Sequence, residues 1–415
     1  MMITVKKILA GLSMTATASW MAVAAATPTP ISDQALLKNQ SSAIATAATL
    51  PTTLVPPAPT LNAKGYVLMD ANSGTIIASS HMDQRMPPAS LTKIMTLYIT
   101  FQALKSGQIH LNDKVRVSNK AWRTGGSRMF LKVGSSVPVQ DLIEGVIVAS
   151  GNDACVTIAQ YIGGTEATFA QLMNQTAKQL GMNATHYVDS TGLPNSNHYS
   201  TPHDMAILAH AVIKNFPEYY HFFGQKWIKY NNIKQPNRNR LLWRDGSVDG
   251  LKTGHTKSAG YCLVSSGKRD NMRLISVMMG TPSDGARATT SQALLNYGFR
   301  FYKTYSLFGA NKAITKQRIW LGKDKFATFG ITQPLFVTIP VGQYQALKAS
   351  IQLPTRIEAP ISKGNSYGQV QVTLNGQTVT HVPLVALDND PKGGLWTRMT
   401  DHIVMFFKSK NKQTS

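Results

Sequence analysis

Between residues 65 and 299 the spacing of the apolar residues changes three times, and that succession restricts the chain to few architectures. GYVLMD and TIIASS alternate on either side of Ala71-Asn72-Ser73-Gly74, which predicts a β-hairpin. A block at helical spacing follows. Ile94, Leu97, Tyr98, Phe101 and Leu104 recur until Gly107, and Leu142, Ile143, Val146 and Ile147 do so before Ser150. Further helices are expected over Asp153–Ile162 and Glu166–Leu180, the latter closed by Gly181, and from the cap Thr201-Pro202 through Ile213. Strand character returns at Gly250–Gly254, Tyr261–Ser266 and Met272–Met279, the last two joined by a turn GKRDN, before a helix from about Ser283 to Phe299. Two strands, helices, three strands and a helix predict an α+β domain over 62–302, an antiparallel sheet with helices on both faces.

At 415 residues the chain exceeds what one core usually supports, so a second domain is expected. Residues 303–390 carry short β-rich runs, PLFVTIP, ASIQL and QVQVTL, and read as a small all-β domain. Residues 394–410, GLWTRMTDHIVMFFKSK, read as an amphipathic helix with Leu395, Trp396, Met399, Ile403, Phe406 and Phe407 on one face and Arg398, Asp401 and Lys408 opposite. This segment is too short to cross a bilayer and is suited to lying at an anionic membrane surface; the alternative is a helix packed on the β-domain.

At the other end, Lys6 and Lys7 precede an uncharged stretch, Ile8 to Ala26, that closes on the small-residue pattern Ala22-Val23-Ala24 or Ala24-Ala25-Ala26. Residues 1–26 are expected to be a cleaved secretory signal, because the stretch is rich in Ala, Ser and Thr where a retained anchor would carry Leu and Ile. Residues 27–61, with PTPISDQ and PTTLVPPAPT, form an Ala/Thr/Pro-rich linker that cannot bury enough apolar surface to order itself.

Lys and Arg outnumber Asp and Glu by 42 to 20, a formal charge of +22, which favours an anionic partner. No basic run is interleaved with aromatics, so nucleic acid is the weakest choice beside a membrane surface or a cell-wall polymer. Only Cys155 and Cys262 are present. An exported pair could bridge, but both lie in apolar segments and are expected as buried thiols.

The residues that carry chemistry begin with PPASLTKIMTLY. Ser90 and Lys93 stand at i and i+3 at a helix start, where a hydroxyl and an amine share a face and backbone N–H groups can hold an oxyanion. Lysine can take the serine proton only if its pKa falls well below about 10.4, through burial and a second positive charge. The pattern alone is weak: Ser265 with Lys268, across an expected strand-to-turn junction, and Ser409 with Lys412, in a polar tail, repeat it, and Ser90 would serve equally as a helix cap. Two further elements change this. Ser150-Gly151-Asn152 interrupts two apolar helices, where a hydroxyl and an amide can enter a cleft, although Asn152 could merely cap the next helix. Lys252-Thr253-Gly254 lies in a strand and offers a charge, a hydroxyl for a carboxylate and room for close approach; otherwise it is an edge-strand lysine.

In the order S-x-x-K, S-x-N, K-T-G, the three resemble the set of the serine penicillin-recognising enzymes. The resemblance extends through GGSRMFLKVG, ASGNDACV, QPNRNRLLW, VDGLKTGHTKSAGYCL and LLNYGFRFY to the low-molecular-mass penicillin-binding proteins that act as D-alanyl-D-alanine carboxypeptidases. It implies a serine β-lactamase/transpeptidase-like fold and an enzyme on the periplasmic side of a bacterial inner membrane, peripherally attached. It also implies that Ser90 attacks the bond between the D-alanines of a peptidoglycan stem peptide while Lys93 takes its proton. Ser150 would relay a proton to the leaving amine and Asn152 would hold the substrate amide. Lys252 and Thr253, beside Gly254, would meet the terminal carboxylate, with Lys252 keeping Lys93 neutral. The backbone N–H groups of Ser90 and His255 would form the oxyanion hole. β-Lactams would acylate Ser90, and neither metal nor cofactor is implied.

Arg238 and Arg287 also fall in resembling stretches but are expected as surface salt bridges, and His198, His203 and His210 as solvated or helix-face histidines. A β-lactamase would carry a glutamate for deacylation, and Glu166 and Glu218 lack an E-x-x-L-N setting. A D,D-endopeptidase could share every motif, and a wall-binding scaffold with a relic pocket would have no reason to keep all three.

Overall fold

The computed structural model describes residues 2–3 and 55–410, the side chains of 2–3 and 407–410 excepted. The expected signal segment 1–26 lies outside the described residues save Met2–Ile3, which pair antiparallel with residues 349–350. Most of the expected linker also lies outside them. Its last residues are held: Tyr297 Oη donates to Pro56 O at 2.9 Å, and Leu61 packs against an apolar cluster.

The hairpin forms as β1 (Gly65–Asp70) and β2 (Ile76–Ser80). The helical block is α1 (Lys93–Lys105), α2 (Val139–Ile147), α3 (Asn152–Gly163), α4 (Glu166–Gln179) and α5 (Pro202–Asn215). The Thr201 hydroxyl accepts from the Asp204 N–H, with Pro202 at the first helical position, so α5 starts where its cap dictates. A hairpin of β3 (Trp227–Tyr230) and β4 (Ile233–Pro236) and a short α6 (Leu241–Arg244) lead into β5 (Val248–Thr256), β6 (Gly260–Arg269), β7 (Met272–Thr281) and α7 (Asp284–Phe301). The five long strands make one antiparallel sheet in the order β2-β1-β7-β6-β5.

Alternation in β1, β6 and β7 builds two cores. Val67, Val264 and Val277 join the helical block on one face, while Leu68, Leu263 and Leu274 meet Leu294 and Leu295 of α7 on the other. One expectation changes: β6 runs on to Arg269, so the turn is only Asp270-Asn271 and Ser265 and Lys268 share one strand. Ser265 and Ser266 are fully buried there, which extends the pairing past the apolar run.

The second domain has its own apolar core, from Ile319, Phe329, Val337, Val370 and Leu384, and is built of β strands from Tyr302 to Ala386. The terminal helix is α8 (Leu395–Lys410). Asp401 accepts from Arg318 Nη2 at 2.9 Å and from the Leu321 N–H at 2.7 Å, and Met405 is buried, so the helix is held to the β-domain at Asp401, while Arg398 of the face expected to be polar is exposed. Leu395, Trp396, Met399, Ile403 and Phe406 remain exposed.

Asp70 ties the two domains together. It is fully buried; its Oδ1 accepts the N–H groups of Asn72 and Ser73, and its Oδ2 accepts from Thr304 Oγ1 at 2.6 Å. Asp70→Ala leaves these donors without an acceptor. We expect a loss of about 1–3 kcal/mol in thermal unfolding, with faster proteolysis near residue 302. An unchanged melting temperature would contradict the tie.

Candidate active site

Ala89–Thr92 forms a single 3-10 turn that runs straight into α1, so Ser90 and Lys93 stand one turn apart. Lys93 Nζ donates to Ser90 Oγ at 2.9 Å and to Thr191 O at 2.7 Å. The lysine is wholly buried, and burial pushes its pKa down to about 8; Cys155 and Asp189 oppose the shift and the Arg238 guanidinium adds to it. Loss of water is thus the main cause of the shift, with a cationic share from Arg238, and the two buried amines of Lys93 and Lys252 also repel one another. Lys252 is itself held well below the usual lysine range by burial first, then by Lys93, Arg238 and Arg287.

Ser150 occupies the break between α2 and α3 with φ +56, a left-handed conformation that few non-glycine residues adopt. Lys252 Nζ donates to its Oγ at 3.0 Å and to Thr253 O at 3.1 Å. Asn152 is not the cap of α3: Gly151 takes that position, and Asn152 Nδ2 donates to Gly125 O at 2.6 Å. Buried Asp153 accepts the N–H groups of Met129 and Leu131, pinning the 125–131 segment beside Ser150.

K-T-G lies on β5, the edge strand of the sheet. A Cβ on Gly254 would come 2.9 Å from Pro88 O and 3.2 Å from the Leu91 nitrogen, so glycine lets this edge lie against the Ser90 turn. Ser90, Ser150, Thr253, Gly254 and His255 all line one cavity of about 770 Å³. Lys93 and Lys252 reach it through the two serine hydroxyls, and the Asn152 N–H donates to Ser127 O on its rim.

Other residues of the site carry only weak sequence signals. Arg238 and Arg287 line the same cavity and are not surface salt bridges: Arg238 Nη1 donates across it to Ser127 Oγ at 2.7 Å, and buried Arg287 donates to Gly254 O at 3.0 Å while pairing with Asp284. The turn 189–193 carries the carbonyl that receives Lys93. Asp189 Oδ1 accepts from the N–H groups of Thr191 and Gly192, both at 2.7 Å, and its carboxyl is held far below the usual range by its hydrogen bonds and by His198, against the opposing effect of burial. Gly192 has φ +82, and a Cβ there would overlap the Ala89 carbonyl. His198 is not solvated: it is buried, with Nε2 2.9 Å from Thr92 Oγ1 and Nδ1 3.6 Å from Asp189. The D-S-T-G sequence, an Asx-type turn followed by glycine, is the signal that could have located this support. His203 faces Asp83 at 3.1 Å, and His210 lies half-buried on α5. Cys155 and Cys262 are buried free thiols.

The family model described as D-alanyl-D-alanine carboxypeptidase, peptidase S11, matches residues 52–283, and that of the penicillin-binding protein 5 C-terminal domain matches residues 302–392. D-alanyl-D-alanine carboxypeptidase DacC of Escherichia coli K12 is 42% identical over 84% of this chain and 90% of its own length. DacA of Haemophilus influenzae is 40% identical over 84% and 91%. Among solved structures, penicillin binding protein 5 from Haemophilus influenzae superposes with a TM-score of 0.78 at 41% identity, covering 81% of this chain and all of that one. The chain belongs to the peptidase S11 family and is a D-alanyl-D-alanine carboxypeptidase of the low-molecular-mass penicillin-binding group.

Proposed function

We propose that Ser90 is the nucleophile and Lys93 its base. The observation that carries the assignment is a wholly buried amine, its pKa lowered to about 8, that donates to the Ser90 hydroxyl at 2.9 Å. Ser90 Oγ attacks the carbonyl between the two D-alanines of a stem peptide, and its proton passes to Lys93. The backbone N–H groups of Ser90 and His255 hold the oxyanion. Ser150 hands a proton to the departing amine, Asn152 holds the substrate amide, and Lys252, Thr253 and Gly254 receive the terminal carboxylate. Water then hydrolyses the ester. A β-lactam acylates the same hydroxyl and blocks it.

The lactamase alternative lacks its glutamate. Glu166 is committed to Ser190 Oγ at 2.9 Å and to Lys120 Nζ at 2.7 Å, and Glu218 faces Lys105 at 3.8 Å. We further propose export through residues 1–26, a linker over 27–61, a catalytic domain over 62–302 and a β-domain over 303–390. In this reading the helix 394–410 holds the enzyme peripherally on the periplasmic face of the inner membrane. The exposed row Leu395, Trp396, Met399, Ile403 and Phe406 supports that last step, because such a row is stable in an acyl boundary and unfavourable in water.

Ser90→Ala is expected to abolish labelling by a fluorescent penicillin and release of D-alanine, and Lys93→Ala to slow acylation by roughly 10²–10⁴. Full labelling of Ser90→Ala would end the assignment. Since the unprotonated amine is the base, the acylation rate should climb with pH and level off above about 8. At pH 7 roughly a tenth of Lys93 is neutral. A rate that falls between pH 6 and 8 would have the wrong sign. Deleting residues 394–415 should release the protein from membrane fractions with unchanged activity on small peptides; continued attachment would place the anchor elsewhere.

A further inference from the structure

The cavity does not stop at the residues assigned to the terminal D-alanine. Two D-alanines hold about eleven heavy atoms, roughly 330 Å³ at the 30 Å³ per atom of liquid water, under half of the 770 Å³ available. The direction of the surplus follows from β5. The acyl carbonyl is assigned to His255 and the terminal carboxylate to Thr253 and Lys252, so the leaving residue points toward the start of the strand. There Asn239 Nδ2 donates to Gly250 O at 3.0 Å, fixing the segment that carries Arg240, Trp243 and Arg244. Asn237, bonded to Lys226 O and Gln225 O, fixes the Trp227 hairpin beside it. Trp227 and Trp243 stand edge to face, ring centroids 6.0 Å apart, yet are 49% and 43% exposed.

The charge of this arm is uncompensated. Asp284 is the one carboxylate among the described residues lining the cavity, and Arg240 and Arg287 both take it. Arg238 turns to Ser127. Arg244 is exposed and has no carboxylate partner among the described residues.

We propose that Trp227, Trp243 and Arg244 form a leaving-group subsite for a D-amino acid larger than alanine that carries a second, free carboxylate. The subsite rests on the assignment of Ser90. The chemistry is unchanged: the same C–N bond breaks, the Ser90 proton ends on the departing α-amine, and water frees the acyl group. The tryptophans cover the longer aliphatic side chain and Arg244 pairs with its carboxylate.

The test uses the full chain in detergent and three acyl-matched peptides ending in D-Ala-D-Ala, D-Ala-D-Glu and D-Ala-D-Gln, with the released amino acid measured. D-Glu should be released with kcat/KM about tenfold above D-Gln. Arg244→Ala should erase that preference and leave D-Ala release within about twofold, whereas Trp243→Ala should lower D-Glu and D-Gln alike relative to D-Ala. Equal release of D-Glu and D-Gln by the unmodified chain, or a preference that survives Arg244→Ala, overturns the subsite alone. D-Ala release that persists in Ser90→Ala overturns the assignment of Ser90 and the subsite with it.

Discussion

Two lysines without water dominate this molecule. Lys93 and Lys252 are each about fully buried, and each amine is satisfied by one serine hydroxyl and one backbone carbonyl. A pKa moved from 10.5 to about 8 means that protonated Lys93 destabilises the fold by about 3 kcal/mol at neutral pH. The sign follows from proton counting. Between roughly pH 10 and 8 the unfolded chain binds the proton that the folded site refuses, so this cost grows as pH falls and is complete below the folded value. A fold that tolerates it must hold the carbonyl partners rigidly, since an amine that could swing into water would regain its ordinary pKa.

That rigidity comes from three segments that no local preference would bring together. The Ser90 turn is clamped between Gly254 of the edge strand and Gly192 of the 189–193 turn, both places where a Cβ would collide with its backbone. Asp189 braces the second clamp by accepting consecutive N–H groups, and His198 stands between Asp189 and Thr92 beneath it. Ser150 and Ala89, at φ +56 and +49, hold conformations that cost of order 1 kcal/mol each unless their surroundings impose them. Strain of this kind beside both serines is what a site preorganised by packing would show.

How much of this is readable without coordinates depends on whether the cause is local. The hairpin, α5 and α7 follow from turn residues, caps and spacing that act within a few residues, and their observed bounds lie close to the expected ones. The three motifs are readable because each packs its chemistry into three or four positions. Arg238, Arg287 and His198 are not, because nothing near them in sequence distinguishes a residue of the site from a solvated side chain; their partners, Ser127, Gly254 and Thr92, lie far along the chain, and only Arg287 and His198 are buried. The terminal helix shows the same limit. Its apolar face is evident from spacing, but Asp401 looks solvated until Arg318 and the Leu321 N–H, about eighty residues away, are seen to receive it.

The excess of cations around the cavity links stability to turnover in the proposed reaction. With Asp284 shared by Arg240 and Arg287, Arg238 and the amines of the two lysines face one another, and Lys252 bears the consequence, held below the usual range first by burial and then by its cationic neighbours. A carboxylate arriving at Thr253 reverses that balance. It favours the charged form of Lys252, and a charged Lys252 makes protonated Lys93 less favourable still, so the substrate itself pushes the base toward the form that can accept the Ser90 proton. An amidated or uncharged terminus would leave both amines as they are. In the proposed reaction, selection for a free carboxylate would then act through activation of the nucleophile as well as through binding, which gives two buried lysines a use that one alone would not have.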